Sequence, residues 1–139
     1  MQPRLYFGHP VNTYGTELEK KLLEAIAVAF VGWEIENPNQ PKHEEGYQRF
    51  KKENGNGMLY FMGKVLPLCK SGIFLPFRDG KWGAGVYKEA KYFADLNLPV
   101  WTINPLGIIE YIYLQEIDPL NIEETRERIR VADGAVIPY

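Results

Sequence analysis

At 139 residues the chain is long enough for one domain with a real core, burying roughly two-thirds of the surface its unfolded form exposes. Its charged (24%) and hydrophobic (45%) fractions are ordinary for a globular protein, and a net charge of −2 without a Lys/Arg block argues against a nucleic-acid binder. The lone Cys69 excludes an internal disulfide and completes no zinc site with His9 and His43; no apolar run has membrane-spanning length, and no signal-peptide core opens the chain, so a cytoplasmic protein with no membrane partner is expected.

In chain order, residues 4–8 form an apolar β-type run that ends in His9-Pro10 and predicts strand 1. Thr16-Glu-Leu-Glu19 reads as a capping box opening a helix, with Leu18, Leu22, Ile26 and Phe30 at helical spacing and Glu17, Glu19, Lys20 and Lys21 facing water. Residues 32–36 predict strand 2, with Trp33 and Ile35 pointing one way, and 37–41 form a turn-rich loop. A short polar helix over 43–52 ends at Asn54-Gly-Asn-Gly57. Residues 58–69 predict a third helix with Phe61, Val65 and Leu68 on one face and Pro67 near its end.

Residues 72–77 are nearly all apolar, as in a strand covered on both faces. A loop over 78–85 leads into a fourth helix at 86–96, whose buried side is Ala90, Phe93 and Ala94. Strand 4 spans 99–103, and strand 5 spans 108–117 with Tyr111 and Tyr113 on one face. Asn121 caps a last helix, and residues 131–139 read as a tail. Strands alternating with helices imply an α/β fold with a mostly parallel sheet, and five strands favour the flavodoxin-like order 2-1-3-4-5. In that order the loops over 8–15 and 78–85 meet at the switch point between strands 1 and 3, where such folds bind ligands.

Glu89 is the leading functional candidate. A carboxylate one to two turns inside that helix, near a loop carrying Gly80, Gly83 and Gly85, is placed to act as nucleophile or base or to hold a sugar hydroxyl. It is equally what a helix start favours through its partial positive charge. The glycine-loop amides suit an anion, although neither a P-loop nor a dinucleotide fingerprint matches. Tyr6, His9 and Asn12 form a second group; the bland reading is strand packing for Tyr6 and a structural role for His9. Trp82 and Trp33 form a third group; Trp82, in the glycine loop, offers a face to stack a nucleobase or a plug for the sheet end or a dimer interface. Asp79 suits either a ribose hydroxyl or an Asx-turn with Gly80.

Leu5-Tyr6-Phe7-Gly8-His9-Pro10, then Gly85-Val86-Tyr87-Lys88-Glu89 with Ala90 and Ala94, then Asn97-Leu-Pro-Val100, resemble the nucleoside 2-deoxyribosyltransferase-like group, which includes 2′-deoxynucleoside 5′-monophosphate N-hydrolases. The resemblance covers about residues 4–104 through short motifs. It implies a flavodoxin-like fold, Glu89 as nucleophile at the anomeric carbon and Tyr6 positioning it. It further implies a homo-oligomer. The loop residues then expected to surround a small-molecule nucleoside or nucleotide are Gly8, His9, Asp79, Trp82, Gly83 and Gly85, with no cofactor or metal. The chain departs from the pattern where the group carries an Asp in the helix before strand 3: Gly63 or Lys64 stands there. Cys69-Lys70-Ser71-Gly72 likewise lacks the Asp expected at that strand's start, and Asp79 is the nearest substitute for a polar residue at Gly83. Protonation of the leaving base therefore lacks its usual residue. The chain reads as an N-glycosidase or deoxyribosyltransferase, as a nucleotide-binding module without catalysis, or as a partner-binding domain whose aromatics (14%) mark an interface.

Overall fold

Which residues face which side of the sheet follows from the two-residue period of a strand. In β1 (Arg4–Gly8), Leu5 and Phe7 point to one face and Tyr6 to the other; in β3 (Ser71–Phe74), Ile73 joins the first face and Phe74 the second. All five side chains are buried, because both faces are covered. The computed structural model describes residues 2–57 and 59–139.

The sheet is completed by β2 (Glu34–Glu36), β4 (Val100–Ile103) and β5 (Ile109–Tyr111), in the order β2-β1-β3-β4-β5. β2, β1, β3 and β4 run parallel, and β5 returns antiparallel to β4. This is an α/β architecture of flavodoxin-like order. One face packs on Leu22 and Ile26 of α1 (Glu17–Ala29); the other packs on Ala90 and Phe93 of α3 (Ala84–Asp95). Two further helices, α2 (Pro41–Asn54) and α4 (Ile122–Ile129), contribute no member to either buried cluster, although α2 packs Tyr47 and Phe50 against the second face's cluster and buries His43. No helix is long and apolar enough to cross a membrane among the described residues.

The expected capping box at α1 is only half formed. Thr16 accepts from the Glu19 amide at 3.2 Å, but the Glu19 carboxylate turns away from the Thr16 backbone and is buried rather than solvated. Asn121 and Glu124 at the start of α4 make the full reciprocal box. The expected third helix is also replaced. Met58 lies outside the described residues, and 61–68 form a π-helical turn (Phe61–Val65) followed by a 3-10 turn (Leu66–Leu68). Pro67 has no amide to give the carbonyl four residues back, so the chain tightens, with the Cys69 amide bonding to Leu66 O at 2.9 Å. The tightening places Leu66 in the core and leaves Leu68 exposed, so of the predicted face Phe61 and Val65 turn inward and Leu68 does not.

β3 ends earlier than expected, although Leu75 stays buried and its amide bonds to Gly8 O. β5 is three residues long and gives way to a 3-10 turn (Leu114–Glu116); Tyr111 and Tyr113 do share a side, their ring centres 5.4 Å apart. β2 begins two residues later than expected, with Trp33 just ahead of it. The tail doubles back: Arg130 bridges to Val136, and the Tyr139 hydroxyl donates to Pro76 O.

Candidate functional site

Tyr6 projects from β1 toward α3. On α3, Val86, Ala90 and Phe93 are buried, and Glu89, three residues after Val86 and four before Phe93, lies on the same side of the helix. The strand's period and the helix's period therefore aim the two side chains at each other. The Tyr6 hydroxyl donates to Glu89 Oε2 at 2.6 Å, although 83 positions separate them in sequence. The other carboxylate oxygen, Oε1, lies over Gly8: a β-carbon built there would stand 3.3 Å from it and 2.5 Å from the Phe74 ring.

Both side chains open into a cavity of about 230 Å³, below the roughly 300–1,000 Å³ usual for drug-sized ligands. The loop after β1 contributes His9, Pro10, Val11 and Tyr14; the loop after β3 and the start of α3 contribute Phe77, Gly83, Gly85 and Val86. The two loops do converge at the switch point. Phe61, Pro38, Thr125 and Ile129 close the remaining sides.

Burial among these apolar groups dominates the electrostatics. It pushes the Glu89 carboxyl up to about 7, against the lowering effect of the Tyr6 hydrogen bond. Burial first, and the neighbouring Glu89 charge second, raise the Tyr6 phenol well above its ordinary value; the same two causes raise Tyr14. Both phenols therefore stay protonated, and that of Tyr6 donates to Glu89. Glu89 is the only carboxylate, and no Lys or Arg stands, among the described residues lining the cavity. Nor do three or more His, Cys, Asp or Glu side chains gather as metal ligands would, among the described residues.

The remaining predicted residues are distributed differently. His9 borders the cavity, but both its ring nitrogens are engaged: Nδ1 lies 2.9 Å from Phe7 O and Nε2 lies 2.8 Å from Glu19 Oε2. It stacks on Phe7 with centroids 4.1 Å apart and touches Tyr14, so it stiffens the loop rather than offering a free nitrogen. Burial alone would raise the Glu19 carboxyl, but hydrogen bonds from His9, Asn39 and the Gly15 amide outweigh it and hold that carboxyl below its usual range. Gly8 does not line the cavity; its missing side chain makes room for Glu89 and Phe74. Gly8→Ala should therefore destabilise the protein by about 1–3 kcal/mol in urea unfolding, as overpacking of a buried ring does.

Trp82 is a correction. It is 4% exposed, packed near Phe74 at a centroid distance of 6.1 Å, and takes no part in the cavity wall. An apolar ring following a tight turn finds the core, the plug reading of this residue. Trp33 likewise packs on the α1 side, edge-on to Phe30, far from the site's face of the sheet. Asp79 is a second correction: it is outside the cavity, accepts from the Lys81 amide in an Asx-type turn, and pairs with Arg128 at 2.7 Å. Arg128's guanidinium holds the Asp79 carboxyl below its usual value. Gly83 and Gly85 do border the cavity, but the expected anion cradle is partly filled, because Thr125 Oγ1 accepts from the Ala84 amide at 2.8 Å. Asn12 is buried and donates to Arg128 O and Ile137 O, fastening the C-terminal segment.

Sequence reasoning missed Tyr14, Phe61 and Thr125. Tyr14 stood in a loop already marked as converging; Phe61 and Thr125 reach the site only through tertiary packing. No protein family, curated protein or solved structure matches the chain.

Proposed function

We propose that the chain cleaves or transfers an N-glycosidic bond of a small nucleoside or nucleotide, with Glu89 as the nucleophile. The observation that carries this reading is the 2.6 Å Tyr6–Glu89 pair at the wall of a small, mostly apolar cavity at the switch point of the sheet. A carboxyl held near 7 is half ionised at neutral pH, so the nucleophilic form is populated, and the phenol fixes its direction. In the reaction a Glu89 oxygen bonds the anomeric carbon as the carbon–nitrogen bond breaks. The electron pair leaves on the base, which takes a proton from water. Water or an acceptor hydroxyl then displaces the carboxylate, losing its proton to solvent. The resemblance of the strand-1 and α3 motifs to the nucleoside 2-deoxyribosyltransferase-like group supports the same assignment, including its expectation of a homo-oligomer.

A specific observation favours a second reading, a nucleoside-binding module. Retaining glycosidases use two carboxyl groups about 5–5.5 Å apart, and Glu89 has no such companion among the described cavity residues. Purified protein incubated with deoxynucleosides and with their 5′-monophosphates separates the two. Free base detected by chromatography, and lost in Glu89→Ala, supports the enzyme. Ligand-induced thermal stabilisation without base supports the binder. Equal base release from wild type and Glu89→Ala rules out the first reading.

A further inference from the structure

A groove of about 350 Å³ lies between α2 and the π-helical turn, and it shares no lining residue with the Glu89 cavity. α2 turns Lys42, Gly46, Arg49 and Glu53 toward it at helical spacing, and the turn supplies Lys64 from the other side. Three cations thus converge from two segments against one carboxylate. Lys42 reaches Glu36 at 3.0 Å; Arg49 and Lys64 have no hydrogen-bond or ion-pair partner among the described residues.

Tyr60 forms part of the wall, and the structure goes to some length to hold it. Its hydroxyl meets His43 Nδ1 at 3.0 Å, and His43 Nε2 meets Glu36 Oε1 at 2.6 Å. A carboxylate only accepts, so Nε2 carries the proton; burial keeps the ring from gaining a second one, which leaves Nδ1 to accept from the Tyr60 hydroxyl. Gly46 makes the arrangement possible, since a β-carbon there would fall 2.3 Å from the phenol oxygen. A glycine inside a helix costs about 1 kcal/mol against alanine, and here that cost makes room for the phenol. The turn bearing Lys64 is π-helical, a rare geometry that is frequent at functional sites.

We propose that this groove is a second ligand site, one that takes a small molecule through its phosphate group, with Arg49 and Lys64 as the main contacts, Lys42 at the edge and Tyr60 behind. An exposed row of cations along one helix is ordinarily a solvated face. Here two cations with no partner among the described residues, one from each segment, line the same groove with a braced wall, and a doubly charged oxyanion matches them better than a single carboxylate.

The test is a titration of ¹⁵N-labelled protein with inorganic phosphate, pyrophosphate and acetate at constant ionic strength. Saturable amide shifts confined to residues 42–50 and 60–65 are expected, with pyrophosphate the tightest and acetate without effect. Arg49→Ala with Lys64→Ala should weaken binding at least about tenfold. Both positions are exposed, and an unchanged sheet spectrum verifies the fold. Shifts that do not saturate, that centre on residues 83–86 instead, that acetate reproduces, or that survive the double substitution overturn the proposal.

Discussion

Glu89→Gln is expected to lower base release at least about 10³-fold and, above pH 7, to make the protein more stable than wild type. The amide keeps the shape of the carboxyl and still accepts from the Tyr6 hydroxyl, so packing is preserved. What it removes is the charge that burial opposes. In the unfolded chain Glu89 ionises near its ordinary 4.5; in the folded protein it does so at about 7. Between these values the native state holds a proton that the unfolded state has released. Wild-type stability therefore falls as pH rises through this window and levels off beyond it. Each unit is about 1.4 kcal/mol, so the whole penalty is at most about 3.5 kcal/mol, less to the extent that water in the cavity solvates the half-buried carboxylate. Urea unfolding at pH 4 and pH 8 measures it: the variant should match wild type at the lower pH, below the window, and exceed it at the higher. Equal stabilities at pH 8 would show that burial does not perturb this carboxyl and would remove the basis for a tuned nucleophile.

The fold was legible because its strands alternate with helices and its core residues obey their periods. Leu5 and Phe7 against Tyr6, and Leu22 and Ile26 in α1, need no tertiary knowledge to assign. The strand order followed from the count of strands. The misjudged segments share a cause: local signals competed with tertiary demands. Pro67 and the packing of Leu66 converted a helix end into two tighter or wider turns. Glu19 looked like a solvated helix-start residue, yet His9, ten positions earlier, draws it into the protein. No periodicity announces such a partner.

The site was legible in its centre and not in its rim. Tyr6 and Glu89 sit at positions fixed by strand and helix geometry, so a topology with the right order brings them together. Trp82 and Asp79 were judged by residue type on a loop, and a loop's course depends on what packs beneath it. Phe74 gave the indole a place in the core, and Arg128, on an element the reading left aside, claimed the aspartate. Thr125 shows the same dependence, since nothing in the sequence near residue 125 connects it to the Ala84 amide.

Tyr6→Phe isolates the pair itself. The ring at position 6 packs near Phe61 and Phe74, with centroids 6.5 and 6.1 Å away, and phenylalanine keeps those contacts without opening a void. Only the hydroxyl is lost, and with it the hydrogen bond that lowers the Glu89 carboxyl against the larger effect of burial. A hydrogen bond to a charged group is worth about 1.5–3 kcal/mol, which corresponds to an upward move of about one to two units from a starting point near 7. At neutral pH the ionised fraction should fall about five- to fiftyfold, and any Glu89-dependent turnover should fall with it. Turnover should recover as pH is raised, with KM little changed, because the substrate contacts are intact. Carboxyl ¹³C NMR reads the titration directly, whether or not the chain is an enzyme. A midpoint that stays put in Tyr6→Phe would mean that the phenol merely fills space beside Glu89. In that event the two side chains would be neighbours in the core, and the case for a working carboxylate at this end of the sheet would fail.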